Sequence, residues 1–348
     1  MNEDYIDIVR GIRVPGMEKI SDRSYIEALH LDGLYDYRDH IKKGIFYGGR
    51  DFSNLNIEQS CRGLSVITGF KPGARFHLGH ILFAERIAFF QKNGADIHII
   101  TSSLENLLRK GEELTESNED VRRFLSYLYS SADIDSQRVN IIDDKNEHIY
   151  ELGLRLSRHC TSKQLEKIFG EDDGPISKRI FPLFIAASYL VPQDFCPDNK
   201  NLIIASPFHD PLISFTRKMA PKEGYKKPAA IYSKGVPNLT GKSLMTSKKD
   251  ANTIYLDQDL SEIIERLRKM PSGGRAIEQH RLIGGDISNC PFFKIKCFLS
   301  HPDNLRNVVE GCANGNPCNE CKNKNGEDLI QKIAAIKQKA GIIMSDIP

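Results

Sequence analysis

The sequence predicts an α/β fold in two parts, a parallel-sheet domain followed by an all-helical C-terminal domain. Three observations carry this. Apolar runs of strand length alternate with amphipathic stretches from about residue 61 to 255. The first run, 64–68, leads through a Gly/Pro turn and an amphipathic stretch to a second apolar run at 96–101. That order, strand, turn, helix, strand, is a βαβ unit. Beyond about 256 the apolar residues recur at helical spacing.

Residues 1–60 are of mixed character and read as an N-terminal extension packed on the sheet domain, which spans 61–255. Strands are expected at 64–68, 97–101, 139–142, 202–205 and 229–232, all rich in aliphatic residues, as parallel strands covered on both faces require. The turn after the first strand holds Gly69, Pro72 and Gly73, and the helix at 81–92 is closed by Asn93 and Gly94. A further helix is expected at 116–131. Ligands of such sheets sit at the carboxyl ends of the strands. In the C-terminal domain, 256–348, helices are expected at 259–270, 292–300, 303–310 and 328–340. An Asn/Gly/Cys-rich loop is expected at 311–325.

Lys and Arg number 48 and Asp and Glu 46, so no strongly basic field advertises nucleic acid, though the patch at 218–227 could meet phosphate. The start of the chain has neither a basic region nor an apolar core, and the longest apolar run, 181–191, is interrupted by Pro182 and too short for a bilayer. A cytoplasmic location without a membrane partner is expected. Eight cysteines then read as thiols or metal ligands rather than disulfides.

The most informative stretch is Phe76, His77, Leu78, Gly79, His80. It places two imidazoles at the first turn of a helix, where unpaired backbone N–H groups and the dipole already favour anions. His77 and His80 can add donors to a phosphate, and Gly79 lets a flat base approach the backbone.

This HxGH pattern after a strand resembles the signature of class I aminoacyl-tRNA synthetases, and an ordered set of further segments resembles the tryptophanyl branch. They include Arg50-Asp51, Phe181-Pro182, Asp210-Pro211, Thr216-Arg217, Gly224-Tyr225, Gly273-Gly274-Arg275, Glu278-Gln279-His280-Arg281 and Gly284-Gly285. The resemblance implies a Rossmann-like catalytic domain, a helical anticodon-binding domain and a homodimer. It implies ATP (with Mg), tRNA and tryptophan as ligands, joined through an aminoacyl-adenylate. Catalysis would then be positioning plus stabilisation of charge on the α-phosphate, with His77 and His80 in that role. Thr68, Gly69, Gly79, His209, Asp210 and Met245 are the implied nucleotide contacts.

The sequence departs from the family at three places. The class's lysine loop corresponds to Leu244-Met245-Thr246-Ser247-Lys248-Lys249, in which Leu244 takes the place of the first lysine. Lys248 or Lys249 would then neutralise departing pyrophosphate, with Lys242 a third candidate. The acidic ribose segment reads Phe208-His209-Asp210-Pro211, so that only Asp210 and Pro211 match. The polar positions around the amino acid correspond to Ile67, Ile99, Leu104 and Ile185. A buried indole N–H without an acceptor costs about 1–3 kcal/mol, so these walls favour another apolar amino acid, unless the register is off by one or two residues.

Cys312, Cys318 and Cys321, with Cys290 ahead of them, suit a four-thiolate cage, since Cys-x-x-Cys turns both sulfurs to one metal. The spacing resembles an iron–sulfur motif of some bacterial tryptophanyl enzymes. A cluster, a zinc and no metal all remain open. Two rivals to the ligase reading are a paralogue that keeps the fold and RNA binding without charging, and a small-molecule adenylyltransferase. The helical C-terminal domain argues against the second.

Overall fold

A computed structural model of the chain describes residues 18–19, 46–55, 60–71, 75–101, 108, 118–143, 146–169, 175–233, 235–241, 251–300 and 302–343. Its sheet is built from β1 (Glu18–Lys19), β2 (Phe46–Arg50), β3 (Leu64–Phe70), β4 (Asp96–Thr101), β5 (Val139–Asp143), β6 (Lys200–Ala205) and β7 (Ala229–Ser233). The order across it is β1-β2-β7-β6-β3-β4-β5. The five central and distal strands, β7 to β5, run parallel, while β1 and β2 add antiparallel from the N-terminal extension. All five strands expected from sequence form, each one or two residues longer. The chain runs outward from β3 through β4 to β5 and then returns to the other side of β3 as β6. The switch point of the sheet therefore lies between β3 and β6, where a crevice opens at the carboxyl ends.

Helices cover both faces. They are α1 (Leu78–Lys92), α2 (Asn118–Ser131), α3 (Glu147–Ser157), α4 (Ser162–Phe169), α5 (Ile176–Leu190), the single turn α6 (Pro192–Phe195) and α7 (Asp210–Met219). The C-terminal helices are α8 (Leu260–Lys269), α9 (Ile277–Ile283), α10 (Pro291–Leu299), α11 (Pro302–Ala313), α12 (Cys318–Asn325) and α13 (Glu327–Ile343).

Alternate strand residues divide the core in two. Val66, Ile97, Ile99, Leu202 and Ile231 join the cluster of α1 and α2, and Phe292, Ile295, Leu329 and Ile333 of the C-terminal helices belong to the same cluster. Ile67, Ile100, Ile203 and Tyr232 join the cluster of α3, α5 and α7 on the other face. The helical region is thus packed onto the sheet through a shared core. Within it, Lys296 is buried and bonds Asp328 at 2.7 Å, tying α10 to α13.

Of the loop expected at 311–325 only 314–317 lies outside helices, since α11 runs on to Ala313 and α12 takes up Cys318–Asn325. Its composition hides this, but the ends are well suited: Pro317 precedes it, Glu320 lies in the first turn, and Lys322 and Lys324 lie in the last. Lys322 Nζ also donates to the carbonyls of Arg268 (2.6 Å) and Met270 (2.9 Å), capping the end of α8. None of the described helices is long and apolar enough to cross a membrane.

Candidate active site

The histidine turn stands where β3 feeds α1, at the switch point. His77 is the extended residue that starts the helix, and His80 Nδ1 accepts the His77 backbone N–H at 3.2 Å. With Nδ1 an acceptor, a neutral His80 carries its proton on Nε2. The two rings stack with centroids 3.7 Å apart. His80 also meets Phe76 at 5.1 Å and the edge of Phe124 at 4.8 Å. His77 is buried, and burial pulls its pKa down to about 4. His80 is half-buried, and Gly79 beside it is also partly accessible.

The turn is stitched to the segment that follows the lysine loop. Leu256 N donates to Phe76 O at 2.8 Å, and His77 bridges Tyr255. Arg75 forms a two-pronged pair with Asp257, at 2.7 and 2.6 Å, and its guanidinium lies 4.1 Å above the Tyr255 ring. A polar cleft lined by Arg75, Asp120, Arg123, Tyr127 and Asp257 opens beside Phe76. Sequence reasoning missed Arg75 and Asp257. The signal for the first was its place directly ahead of the motif. Lys248, Lys249, Met245, Lys242 and Leu104 lie outside the described residues.

Thr68 is buried at the end of β3 and donates to Ile204 O at 3.2 Å, across to β6. Gly69 follows it, and a Cβ there would stand 3.1 Å from Ile100 O. His209 is exposed in the short turn Pro207–His209, its Nδ1 3.5 Å from Tyr189 OH. Asp210 is buried and fully engaged. Arg50 grips it with two bonds of 2.6 and 2.8 Å, the Tyr232 hydroxyl donates to it, and Ser214 stands at 3.4 Å. Burial and Asp210 together hold the Tyr232 phenol far above its usual range. These contacts make Asp210 a clamp between β2, β7 and the start of α7.

The aliphatic amino-acid pocket does not come together as expected. Ile67 and Ile185 pack with the α5 face of the sheet, whereas Ile99 packs with the α1 face. Ile67 pairs with His98 and Thr68 with Ile99, so a slip of one residue moves the side chain to the opposite face. His98, the partner of Ile67, and Ile100, the partner of Gly69, are the β4 residues on the face of Ile67.

At the far end of the helical region, Cys290, Cys312, Cys318 and Cys321 line one small cavity with Ile287 and Val308. Burial pushes the Cys312 and Cys321 thiols up, and the neighbouring sulfurs add to the shift. Among the described residues no group of three or more His, Cys, Asp or Glu is arranged to hold a metal ion. In kind, four thiols around one apolar-walled cavity fit a soft metal. None of the eight cysteines forms a disulfide.

No protein-family model matches the chain. It is 25% identical over 321 residues to a tryptophan–tRNA ligase of Methanopyrus kandleri, across 88% of this chain and 86% of that one. It superposes on the tryptophanyl-tRNA synthetase of Aeropyrum pernix with a TM-score of 0.83 at 22% identity, over 99% of this chain and 95% of the other. The tryptophan-bound synthetase of Encephalitozoon cuniculi gives 0.79 at 22% identity, over 99% and 96%. The chain thus has the fold of these aminoacyl-tRNA synthetases. In sequence the chain is similar to tryptophan–tRNA ligases over most of its length, at about a quarter identity.

Proposed function

We propose that the chain is a tryptophan–tRNA ligase, activating the amino acid with ATP and passing it to tRNA. The observation that carries this is the histidine turn at the sheet's switch point, stitched through Tyr255 and Leu256 to the stem of the lysine loop. The amino-acid carboxylate attacks the α-phosphorus, the bond to the pyrophosphate oxygen breaks, and pyrophosphate leaves. His80, with Nε2–H, and the N-terminal amides of α1 donate to the phosphate oxygens. His77 starts the helix that presents His80, and Thr68, Gly69 and Gly79 border the nucleotide. Lys248 or Lys249 meets the departing pyrophosphate, which travels with Mg. A terminal ribose hydroxyl of tRNA then attacks the activated carbonyl, and AMP departs.

Cys290, Cys312, Cys318 and Cys321 would hold an iron–sulfur cluster, or zinc in its place, as a clamp on the helical region that takes no part in the chemistry. The protein acts as a cytoplasmic homodimer in this reading. Tryptophan-dependent exchange between ATP and pyrophosphate is the test, followed by charging of tRNA. Exchange with tryptophan supports the reading. Absence of exchange with any amino acid refutes it and leaves a non-charging paralogue, which a gel shift with tRNA would reveal.

A further inference from the structure

The stem of the lysine loop, residues 251–258, is buried from Thr253 to Leu256, yet its only regular pairing is the bridge to His77. The buried backbone groups of such a stretch must find partners outside a ladder. One side of the stem meets the histidine turn. Leu256 N donates to Phe76 O at 2.8 Å, and Leu78 N donates to Ile254 O at 3.4 Å, so the two bonds flank His77.

The other carbonyls go to two cations of the helical region. Arg266 of α8 donates to Thr253 O and to the Gln258 side-chain oxygen, both at 2.9 Å, and also to Ala251 O. That same Gln258 oxygen accepts the Tyr255 amide at 2.9 Å. Lys337 of α13 donates to Leu256 O and, at 2.8 Å, to Gln258 O. Burial of Ile254 and Leu256 in the core fixes how deep the stem lies. It does not fix which way the carbonyls turn. Charge-assisted bonds, stronger than those between neutral groups, do that here.

We infer that Arg266 and Lys337 are positioning residues for amino-acid activation, holding the stem so that its far side places the histidine turn. This rests on the ligase reading above and deepens it. Each cation fixes carbonyls of the stem, and the stem fixes Phe76 O and Leu78 N on either side of His77. His80 and the first amides of α1 follow, because they belong to the same turn. These donors act on charge that develops at the α-phosphate, so a displaced turn lowers kcat and leaves KM nearly alone.

The test measures Lys337→Met and Arg266→Lys in the full-length chain, beside Lys339→Met as control. Lys339 lies on the same helix but pairs with the exposed Asp133. Tryptophan-dependent exchange between ATP and pyrophosphate, the urea midpoint, and hydrogen exchange of the Leu78 and Leu256 amides are read for each. Both variants are expected to lose about tenfold or more in kcat, with KM for ATP and tryptophan close to wild type. The Leu78 and Leu256 amides are expected to lose protection while those of β4 keep it. Lys337→Arg, which keeps a charged donor of similar reach, should recover most of the loss, and Lys339→Met should match wild type. A lower urea midpoint with kcat unchanged makes the two cations structural only and overturns the inference. So does unchanged protection of Leu78 and Leu256. Wild-type protein without exchange for any amino acid refutes the ligase reading instead, and the hold on the turn is then judged by those two amides alone.

Discussion

The histidine turn and the cysteine cavity are assembled from similar parts, helix starts and glycine-bearing turns, but they are held in opposite ways. At the turn, rings stack on rings, His80 accepts a backbone amide, and Arg75 locks onto Asp257, so polar groups find partners within the chain. At the cavity, Cys290 ahead of α10, Cys312 of α11 and Cys318 and Cys321 of α12 line one opening, and Gly285 N after α9 donates to Cys312 O. The first region is organised by contacts within the chain. The second is lined by thiols and apolar side chains. Pre-organised donors at the site of developing charge are what catalysis by positioning requires.

The most severe way to break the organised region is at Asp210. Replacing it by Ala leaves the Arg50 guanidinium and the buried Tyr232 hydroxyl without their acceptor, at a cost of about 3–5 kcal/mol in urea unfolding. If Asp210 instead serves mainly as a ribose contact, stability will hold and KM for ATP alone will rise. His80→Ala comes next. Loss of one donor to the transition state should lower exchange by about 10²–10³-fold with the fold retained, since the ring is only half-buried. Unchanged exchange would take His80 out of the site.

The sheet was readable because its strands are aliphatic runs bounded by turn residues, a pattern few other elements produce. The histidine turn was readable for the same reason, since a motif between strand and helix announces its own position. The pairings that complete the site were not. Arg50 and Asp210 are 160 positions apart, and nothing local in either marks the other. Ile99 lies on the face opposite Ile67, because strand alternation turns a shift of one residue into a change of side. Convergence of the four cysteines followed from their spacing, whereas the close approach of Gly274 and Gly285 to Cys318 and Cys312 needed the packing to be seen.

A further contrast lies within the sheet itself. His98 is fully buried in β4, both ring nitrogens lack a hydrogen-bond partner, and burial lowers its pKa to about 4, as it does for His77. The unfolded chain binds these protons near 6.5, so stability is complete above that pH and is lost as pH falls toward 4. Each histidine contributes a slope of about 1.4 kcal/mol per pH unit within that window. His98→Leu should halve the slope and make the protein more stable than wild type at pH 5. Equal slopes in the two proteins would show that His98 is solvated.

The mildest prediction is the sharpest for the comparison. Arg75 and Asp257 are partly exposed, so breaking their pair costs less than about 1 kcal/mol of stability. Their position gives them a larger effect on function. Arg75 precedes the histidine turn, Asp257 follows the lysine-loop stem, and Tyr255 lies between them beneath the guanidinium. Arg75→Ala should therefore raise KM for ATP several-fold while kcat and the urea midpoint stay close to wild type. Arg75→Lys should restore little of this, because one ammonium cannot replace a two-pronged bond and a flat cation over a ring. Full rescue by Lys would reduce the pair to a generic charge. A drop in stability equal to the loss of function would instead mean that the turn owes its order to this pair, and that the organised region is less self-supporting than its stacked rings suggest.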